Sequence, residues 1–366
     1  SATTGLATVS AQVDHGAGMS TDGPILDQIA QKVYVFSSND NSTKCAGGPC
    51  AAVLQFSTTF ASGTSGTETT VGSSSATPNF LYAGAFDNAY YTSGNATGAL
   101  YVCGAAGDNP ILYRIGITAG ALPAAGTSMN TVTTNGSTAS CSTVTDAANP
   151  NLAGGAEERI FVSPQNNGRP TACGTKGCLI SFVNSPWKAS TAYVAGQEIL
   201  NNQARIEVAI ISGTSGATTP AWANTTGAAI VDGGVIWIDQ GFITAVPLAA
   251  WVPSHAYALH TRIIDSNGRV EIATTAGTSA GSVPVWSGAP GATTTDGTVS
   301  WTNGWTLPIS AIQVTGGASG VIIDNVVGSG TMAGASQVYF STLGNQACTT
   351  GGTGGCAVQA SQSGLN

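Results

Sequence analysis

The chain contains only three histidines, the side chains best suited to proton transfer near neutral pH. His15 lies near the start of the sequence, and His255 and His260 are five positions apart. This spacing does not match the H-x-x-x-H or H-E-x-x-H patterns that bind zinc, and nothing nearby marks a Ser–His–Asp triad. We interpret His255 and His260 as surface residues rather than ligands. The sequence therefore predicts neither a catalytic residue nor a metal site.

Paired carboxylates, which glycoside cleavage requires, are equally scarce. Glu157 and Glu158 are adjacent, so they would point to opposite faces of a strand, and we interpret them as a solvated strand edge. The stretch SNDNST around Asp40 is only weakly similar to a calcium loop, because it lacks the acidic residue that an EF-hand needs at its end.

Three aspartates recur in similar surroundings, namely Asp27, Asp87 and Asp324. Each follows an apolar or aromatic pair and precedes Gln or Asn. They could be acid–base groups, or each could end a strand and cap the following turn through a side-chain hydrogen bond. Recurrence at equivalent positions favours capping, because catalysis rarely needs the same residue several times.

The eight cysteines predict disulfides. Six fall in close pairs and two remain, which gives the bonds Cys45–Cys50, Cys103–Cys141, Cys173–Cys178 and Cys348–Cys356. Zinc is the rival interpretation, but zinc sites usually use two-residue spacings or nearby histidines, and the sequence has neither. An even count with local pairing favours disulfides and a secreted protein.

A second pattern repeats with a period of 64 residues. The matches are Trp187 with Trp251, Tyr193 with Tyr257, Gly213 with Gly277, Trp222 with Trp286, Asp232 with Asp296, and Trp237 with Trp301. Each unit reads W-x5-Y, G-T-S, P-x-W, D-G and then a strand that ends in Trp. We interpret the D-G pairs as turns.

The aromatic residues of this repeat have two interpretations. The candidates for stacking on sugar rings are Trp187, Tyr193, Trp222, Trp251, Tyr257 and Trp286. Flat aromatic faces suit the C–H faces of pyranoses. However, a unit of about 60 residues without disulfides also needs aromatic side chains for its core. We favour core over ligand for these six, and we assign Trp237 and Trp301 to the core.

The elements that must position these residues are strands. Of 366 residues, 49 are Gly, 42% are hydrophobic and only 8% are charged, which indicates a strand-and-turn chain rather than a disordered one. A net charge of −8 with ten Lys and Arg argues against nucleic acid as a partner. No run approaches 18 apolar residues, so the sequence predicts no membrane span.

Four stretches each combine an alternating strand, a polar turn and a second alternating strand, as in a hairpin. They begin KVYVFSSND, ALYVCGAAG, RIFVSPQNN and QVYFSTLGN. In three of them a cysteine pair precedes the second strand. A short inner strand followed by such a hairpin, recurring along the chain, is the plan of a β-propeller blade.

Residues 20–184 and 307–366 resemble large secreted bacterial β-propeller proteins with a quinoprotein-like or YVTN-like outline. The resemblance rests on segments such as DGPILD, FDNAYYTSGNATGALYVCG and GVIIDNVV. It implies a propeller but no quinone, since the tryptophan-docking pattern of quinoprotein blades is absent, and we predict no cofactor. About four blades can be counted. We therefore expect an upstream fragment or further copies of the chain to complete the ring.

The 64-residue units are similar to small chitin- and cellulose-binding modules (family 5/12-like) that are attached to glycoside hydrolases and phage tail proteins. The second unit departs from that pattern, with YALHTRI where the first has YVAGQEI. Both interrupt the blade-like sequence between its third and fourth hairpins, as a loop tip can tolerate.

We therefore predict an all-β protein, in which a β-propeller portion of about four blades carries two small inserted β-modules. The predicted domains are blades in 1–184, module 1 in 185–244, module 2 in 245–306 and a last blade in 307–366. The predicted function is a secreted, non-enzymatic structural or adhesive protein that forms a homo-oligomer or polymer, such as a filament or surface layer, with polysaccharide as a candidate ligand of the inserted modules. The alternatives are a polysaccharide-acting enzyme with its site in the propeller channel, and a pure carbohydrate-binding protein.

Overall fold

The computed structural model describes residues 7–15, 20, 22–45, 48–73, 80–107, 109–133, 140–151, 157–168, 173–203, 205–242, 249–266, 270–287, 292–303, 309–325, 336–349 and 351–361. Within these ranges the chain forms small, mostly antiparallel sheets and one short helix. The predicted all-β class is confirmed. Among the same residues no helix is long and apolar enough to cross a membrane.

Sheet 1 is an antiparallel meander in which strands adjacent in sequence are adjacent in space. Its strands are β1 (Ile25–Asp27), β2 (Lys32–Asp40), β3 (Cys50–Ser57) and β4 (Thr67–Ser73). Side chains alternate along β2, so Tyr34 and Phe36 join one hydrophobic cluster while Val33 and Val35 pack against another on the opposite face. The sheet is therefore apolar on both sides.

Sheet 2 repeats this plan and adds one helical turn. Its elements are β5 (Ala85–Phe86), α1 (Asn88–Thr92), β6 (Gly98–Ala106), β7 (Asn109–Ile117) and β8 (Thr127–Thr131). Asp87 caps α1, because its carboxylate accepts hydrogen bonds from the backbone N–H groups of Tyr90 at 2.8 Å and Ala99 at 3.0 Å. Glycine is needed at position 98, where φ is +146° and a Cβ would lie 2.5 Å from the Asp87 carboxylate.

Sheet 3 is assembled from two separate parts of the sequence. Its strands are β9 (Thr145–Asn149), β10 (Glu157–Val162), β11 (Cys178–Val183) and, after both modules, β25 (Ile309–Gln313). β25 pairs antiparallel with β11, with Gln313 opposite Cys178 and Ile309 opposite Phe182. The modules are therefore inserted between two neighbouring strands of sheet 3, after the third predicted hairpin, and the two ends of the insert lie side by side.

Module 1 consists of a four-stranded sheet and a two-stranded ribbon. Its strands are β12 (Ala192–Tyr193), β13 (Glu198–Leu200), β14 (Arg205–Ile211), β15 (Gly213–Thr214), β16 (Ala229–Asp232) and β17 (Val235–Phe242). The sheet has the order β13-β14-β17-β16, and β12 pairs with β15.

Module 2 repeats these elements and adds one strand. Its strands are β18 (Ala249–Ala250), β19 (Ala256–Tyr257), β20 (Arg262–Ile264), β21 (Val270–Thr275), β22 (Gly277–Thr278), β23 (Thr293–Asp296) and β24 (Val299–Asn303). The added strand β18 pairs in parallel with β20, and at the corresponding place in module 1 Pro186 and Leu200 form a single parallel bridge. The predicted boundaries at 244/245 and 306/307 lie outside the described residues.

Sheet 4 follows directly after β25. Its strands are β26 (Ile322–Asp324), β27 (Gln337–Ser341) and β30 (Ala357–Ser361), and the hairpin of β28 (Gln346–Ala347) and β29 (Thr353–Gly354) lies between the last two. The described part of sheet 4 thus has the strand order β26-β27-β30.

Sheets 1 to 4 pack face against face in chain order, with a hydrophobic cluster in each gap. Between sheets 1 and 2 lie Tyr34, Phe36, Val53, Phe86, Leu100 and Val102. Between sheets 2 and 3 lie Tyr101, Leu112, Ile160, Val162, Ile180 and Phe182. Between sheets 3 and 4 lie Phe161, Leu179, Val338 and Phe340. Full burial of each such side chain contributes about 1.5–3 kcal/mol, so these clusters hold the stack together.

All four predicted disulfides are confirmed, and none of the cysteines in the described ranges is free. The Cα–Cα distances are 5.4 Å for Cys45–Cys50, 6.2 Å for Cys103–Cys141, 5.3 Å for Cys173–Cys178 and 5.8 Å for Cys348–Cys356. Three bonds close the loops that precede β3, β11 and β30, and the fourth ties β6 of sheet 2 to the segment that enters sheet 3. Four disulfides indicate an oxidising environment.

Candidate functional site

The aromatic residues proposed for sugar stacking lie mainly in the cores of the two modules. The exposed fractions are 4% for Tyr193, 7% for Trp222, 7% for Tyr257 and 7% for Trp286, while Trp187 and Trp251 are half-buried. Tyr193 packs edge-on against Trp237, and Tyr257 packs in the same way against Trp301, each with ring centroids 4.8 Å apart. This burial favours the core interpretation for four of the six residues and leaves Trp187 and Trp251 accessible at one side.

In module 1 the carboxylate of Asp232 holds two tryptophans in place. Its Oδ2 accepts hydrogen bonds from the Nε1 of Trp187 at 2.7 Å and of Trp237 at 2.9 Å. Its Oδ1 accepts from the backbone N–H of Gly216 at 2.7 Å. The D-G turn that the sequence predicts therefore also places a buried acceptor inside the core.

In module 2 the carboxylate of Asp296 repeats this arrangement. Its Oδ2 accepts from the Nε1 of Trp251 at 2.7 Å and of Trp301 at 3.0 Å, and its Oδ1 accepts from the backbone N–H of Ala280 at 2.8 Å. Sequence reasoning assigned both aspartates only to turns. The signal that could have revealed this role is that the acid and both indoles recur together at the 64-residue offset.

A small cavity lies where module 1 meets sheet 2. Its volume is about 160 Å³, and its lining includes Asp87, Tyr101, Arg114, Trp187, Asn202 and Trp222. Aromatic surface, amide groups and a guanidinium therefore face one space that could hold a small polar ligand with an apolar side. Trp187 and Trp222, which the sequence analysis proposed as sugar-stacking residues, both line this cavity.

A pair of carboxyl groups lies between sheets 2 and 3. Asp146 on β9 and Glu158 on β10 are diagonal neighbours on the face that points to sheet 2, and their side chains hydrogen-bond to each other. Asn184 donates to Asp146 at 3.1 Å, and the backbone N–H of Asn88 donates to Glu158 at 2.5 Å. Burial and the neighbouring Glu158 raise the pKa of Asp146 well above its ordinary value, which favours a proton shared between the two carboxyls.

The interpretation of Glu157 and Glu158 as a solvated strand edge is therefore wrong. Both are buried, because β10 is covered on each face. They do point to opposite faces, since Glu157 pairs with Arg159 at 2.6 Å and Glu158 faces sheet 2. Sequence alone could not show this burial, because adjacent glutamates usually indicate contact with water.

A chain of hydrogen bonds joins the carboxyl pair to the cavity. Arg114 Nε donates to the hydroxyl of Tyr101 at 3.3 Å, which donates to Asn184 Oδ1 at 2.6 Å. Burial raises the pKa of Tyr101, so this phenol stays neutral and acts as a donor. The directly hydrogen-bonded carboxyls are too close for glycoside cleavage, which needs separations of about 5 Å or more.

The recurring strand-end aspartates behave as caps where their hydrogen bonds are described. Asp27 Oδ1 accepts from the backbone N–H groups of Ile29 and Ala30, both at 2.9 Å, and Asp87 caps α1. Asp324 ends β26 opposite Gln337. Sheet 3 has Asn149 in this position, where its Oδ1 accepts from a backbone N–H at 2.9 Å. This fourth cap does not follow from the recurring aspartates, because its side chain is an amide rather than a carboxylate.

The two histidines of module 2 make no catalytic arrangement within the described contacts. His255 is exposed, as predicted, and packs edge-on against Tyr257 at 4.6 Å. His260 is half-buried in a turn with φ of +65°. Burial lowers its pKa.

Comparisons of the chain with protein-family models, with curated proteins and with solved structures gave no match.

Proposed function

We propose that the chain is a secreted, non-enzymatic structural or adhesive protein that acts as a subunit of an extracellular assembly such as a filament or surface layer. In this proposal sheets 1 to 4 are consecutive blades of a β-propeller. The observation that carries it is the uninterrupted stack of meander sheets, each packed on the next through an apolar cluster. Four disulfides support secretion.

The first strands of the sheets support a propeller arrangement, because hydrogen bonds join each inner turn to the next sheet. The hydroxyl of Tyr90 in sheet 2 donates to Asp27 of sheet 1 at 2.6 Å. Asn88 of sheet 2 donates to Glu158 of sheet 3, and Asn149 of sheet 3 donates to Ser336, beside sheet 4, at 2.8 Å. Inner strands that meet in this way are expected where blades converge on a common axis.

The distribution of ionisable groups supports a structural role. The buried carboxyls of the stack are used in contacts between sheets and turns, as Asp27, Asp87 and Glu158 are. The carboxyl pair that could favour an enzyme, Asp146 with Glu158, is too close for either glycosidase geometry. We therefore keep the polysaccharide-acting enzyme as the weaker alternative.

The two ends of the stack differ, which suits head-to-tail association. The outer face of sheet 1 is apolar and is covered by the N-terminal segment, since Leu54 and Phe56 are buried in a cluster against which Val13 packs. The outer face of sheet 4 is polar, and Gln359 donates to Gln337 at 3.1 Å and to the hydroxyl of Tyr339 at 3.2 Å. In the proposal, further copies or further blades continue the stack from these ends.

Electron microscopy of the purified chain, combined with sedimentation velocity across concentrations, tests this proposal. We expect filaments or closed oligomers whose abundance rises with concentration. A chain that stays a single monomer at all concentrations and forms no ordered assembly would contradict the proposal.

A second candidate function, glycan binding, is favoured by the cavity between module 1 and sheet 2. Its volume of about 160 Å³ is of the size of one sugar ring, and Trp187, Trp222 and Arg114 line it. The test is retention of the chain on insoluble chitin and cellulose, with the variants Asn202→Ala and Arg114→Met. The matched control is Ser266→Ala, at the position in module 2 that corresponds to Asn202.

We expect both cavity variants to lose retention at least tenfold and the control to bind as wild type. Equal retention of all variants, or none by the wild type, would leave the aromatic residues as core only.

A further inference from the structure

The loop after β2 and the start of β4 bring a set of oxygen atoms together at one end of sheet 1. Asp40 is the last residue of β2, Ser42 lies in the loop between β2 and β3 just before the Cys45–Cys50 disulfide, and Glu68 lies on β4. This is the SNDNST segment, whose likeness to a calcium loop is weak because no acidic residue closes it in sequence. Glu68 supplies that acidic residue from a different strand.

Asp40 is fully buried, with 0% of its surface exposed. Its Oδ1 accepts from the backbone N–H groups of His15 at 2.9 Å and Asn41 at 2.8 Å, and it lies 2.8 Å from His15 Nδ1. Its Oδ2 is also buried and accepts no well-formed hydrogen bond among the described residues, and its polar neighbours are the Ser42 hydroxyl and the Glu68 carboxyl. A buried carboxylate oxygen without a partner is costly, so a bound water or ion is expected beside it.

The next groups beside Asp40 are the Glu68 carboxyl and the Ser42 hydroxyl. Ser42 Oγ lies 2.8 Å and 2.7 Å from the two carboxylate oxygens of Glu68. The side chains of Glu68 and Asp40 also lie within hydrogen-bonding reach of each other. Two carboxylates this close repel each other, so a proton or a metal cation between them would stabilise the pair.

We propose that Asp40, Glu68 and Ser42 bind a hard divalent cation, for which Ca²⁺ is the best fit. Two carboxylates and a hydroxyl are the oxygen ligands that Ca²⁺ takes, whereas zinc prefers nitrogen and sulfur. The neighbouring sulfurs of Cys45 and Cys50 are held in a disulfide, so they are not available as thiolates. A cavity of about 700 Å³, lined in part by His15, Ser42 and Glu68, reaches this point and can supply water ligands.

Such a cation would tie the disulfide-closed loop to β4. Because it would bind the folded chain and not the unfolded one, it would stabilise the end of the stack by an amount that rises with the logarithm of its concentration above the dissociation constant. Extracellular sites of this type bind Ca²⁺ with dissociation constants of about 0.1–1 mM. The inference does not depend on the proposed assembly or glycan functions.

Isothermal titration calorimetry of the full chain, stripped with EDTA, with CaCl2 and separately with MgCl2 tests the site. The variants are Glu68→Gln and Ser42→Ala, and the control is Asp324→Asn, a strand-end acid of sheet 4. We expect one Ca²⁺ per chain in the wild type and control, at least tenfold weaker binding in Glu68→Gln, and a smaller loss in Ser42→Ala. Saturating CaCl2 should raise Tm of the wild type by roughly 2–4 °C and that of Glu68→Gln by less.

Circular dichroism checks that each variant is folded. If the wild type takes up no Ca²⁺ at about 5–10 mM CaCl2, roughly ten times the expected dissociation constant, the proposal is overturned. A proton shared between the two carboxyls would then be the remaining explanation. Unchanged binding in both Glu68→Gln and Ser42→Ala would also overturn it, by placing the cation elsewhere.

Discussion

In module 1 and module 2 an equivalent aspartate carboxylate accepts hydrogen bonds from two equivalent tryptophan side chains. Asp232 and Asp296 each accept from a half-buried tryptophan at 2.7 Å and from a buried one at 2.9 or 3.0 Å. Yet the Trp187 of module 1 also lines a cavity against sheet 2, and Arg114 of sheet 2 lines the same cavity. The comparison teaches that the repeat specifies a core, and that the neighbour of each copy decides what its surface can do.

The two modules also meet each other through equivalent positions. Glu198 of module 1 and Arg262 of module 2 are 64 residues apart, and Arg262 Nη2 lies 3.1 Å from Glu198 Oε1. A residue that contacts its own equivalent indicates an approximate two-fold relation between the copies. If both copies had the same charged residue at this position, two like charges would meet. The contact therefore requires that the two copies differ here.

The largest effect is expected from removing the aspartate that accepts hydrogen bonds from both indoles. Asp232→Ala leaves two indole N–H groups and one backbone N–H without an acceptor, and we expect a loss of about 4 kcal/mol in the free energy of unfolding. Asp296→Ala should cost the same if the cores are equivalent. Urea unfolding followed by tryptophan fluorescence measures this directly, because all seven tryptophans lie within the two predicted modules. A clear difference between the two variants would break the comparison.

The second largest effect is expected from removing the charge of Arg262 in module 2. Arg262→Met leaves Glu198 buried without its cation, and we expect a loss of about 3 kcal/mol. The double variant Glu198→Met with Arg262→Met should recover most of it, because the lone buried charge is gone. If the single variant were as stable as the wild type, the contact between the modules would not be formed in solution.

The same contact predicts a pH dependence. Burial raises the pKa of Glu198 to about 7, although Arg262 opposes the shift. An acid whose pKa is raised on folding favours the folded state most below its unfolded pKa of 4.5, and stability falls as pH rises to about 7. We expect Glu198→Gln to flatten this fall, by at most about 1.4 kcal/mol per pH unit. A parallel pH profile for the variant in thermal unfolding would contradict the assignment.

The smallest expected effect concerns the turn in which the copies differ. Module 1 has Gly196 with φ of +89°, and module 2 has His260 in the same place with φ of +65°. Each backbone N–H donates at 2.7 Å, to Ala209 and Ala273 respectively, so the turn is the same. His260→Gly should stabilise module 2 by about 1 kcal/mol, since glycine adopts this conformation without strain. Gly196→His should cost module 1 a similar amount, as measured by the midpoint of thermal unfolding.

The local features of the fold could be predicted from the sequence. The strands follow from alternation in stretches such as KVYVF, and three of the four disulfides join cysteines five or eight positions apart, where loop closure costs little entropy. The repeated D-G turns and their tryptophans were also visible as a fixed offset. These signals lie along the chain and depend little on what packs beside it.

The candidate sites could not be predicted in the same way, because each joins residues that are distant in sequence. The cavity needs Arg114 near Trp187, and the oxygen cluster needs Asp40 near Glu68. The burial of Glu158 depends on sheet 2 lying against β10. Sequence fixes alternation, spacing and turn chemistry because these act over a few residues. Only the packing of sheets and modules decides which polar groups lose their water and meet a partner.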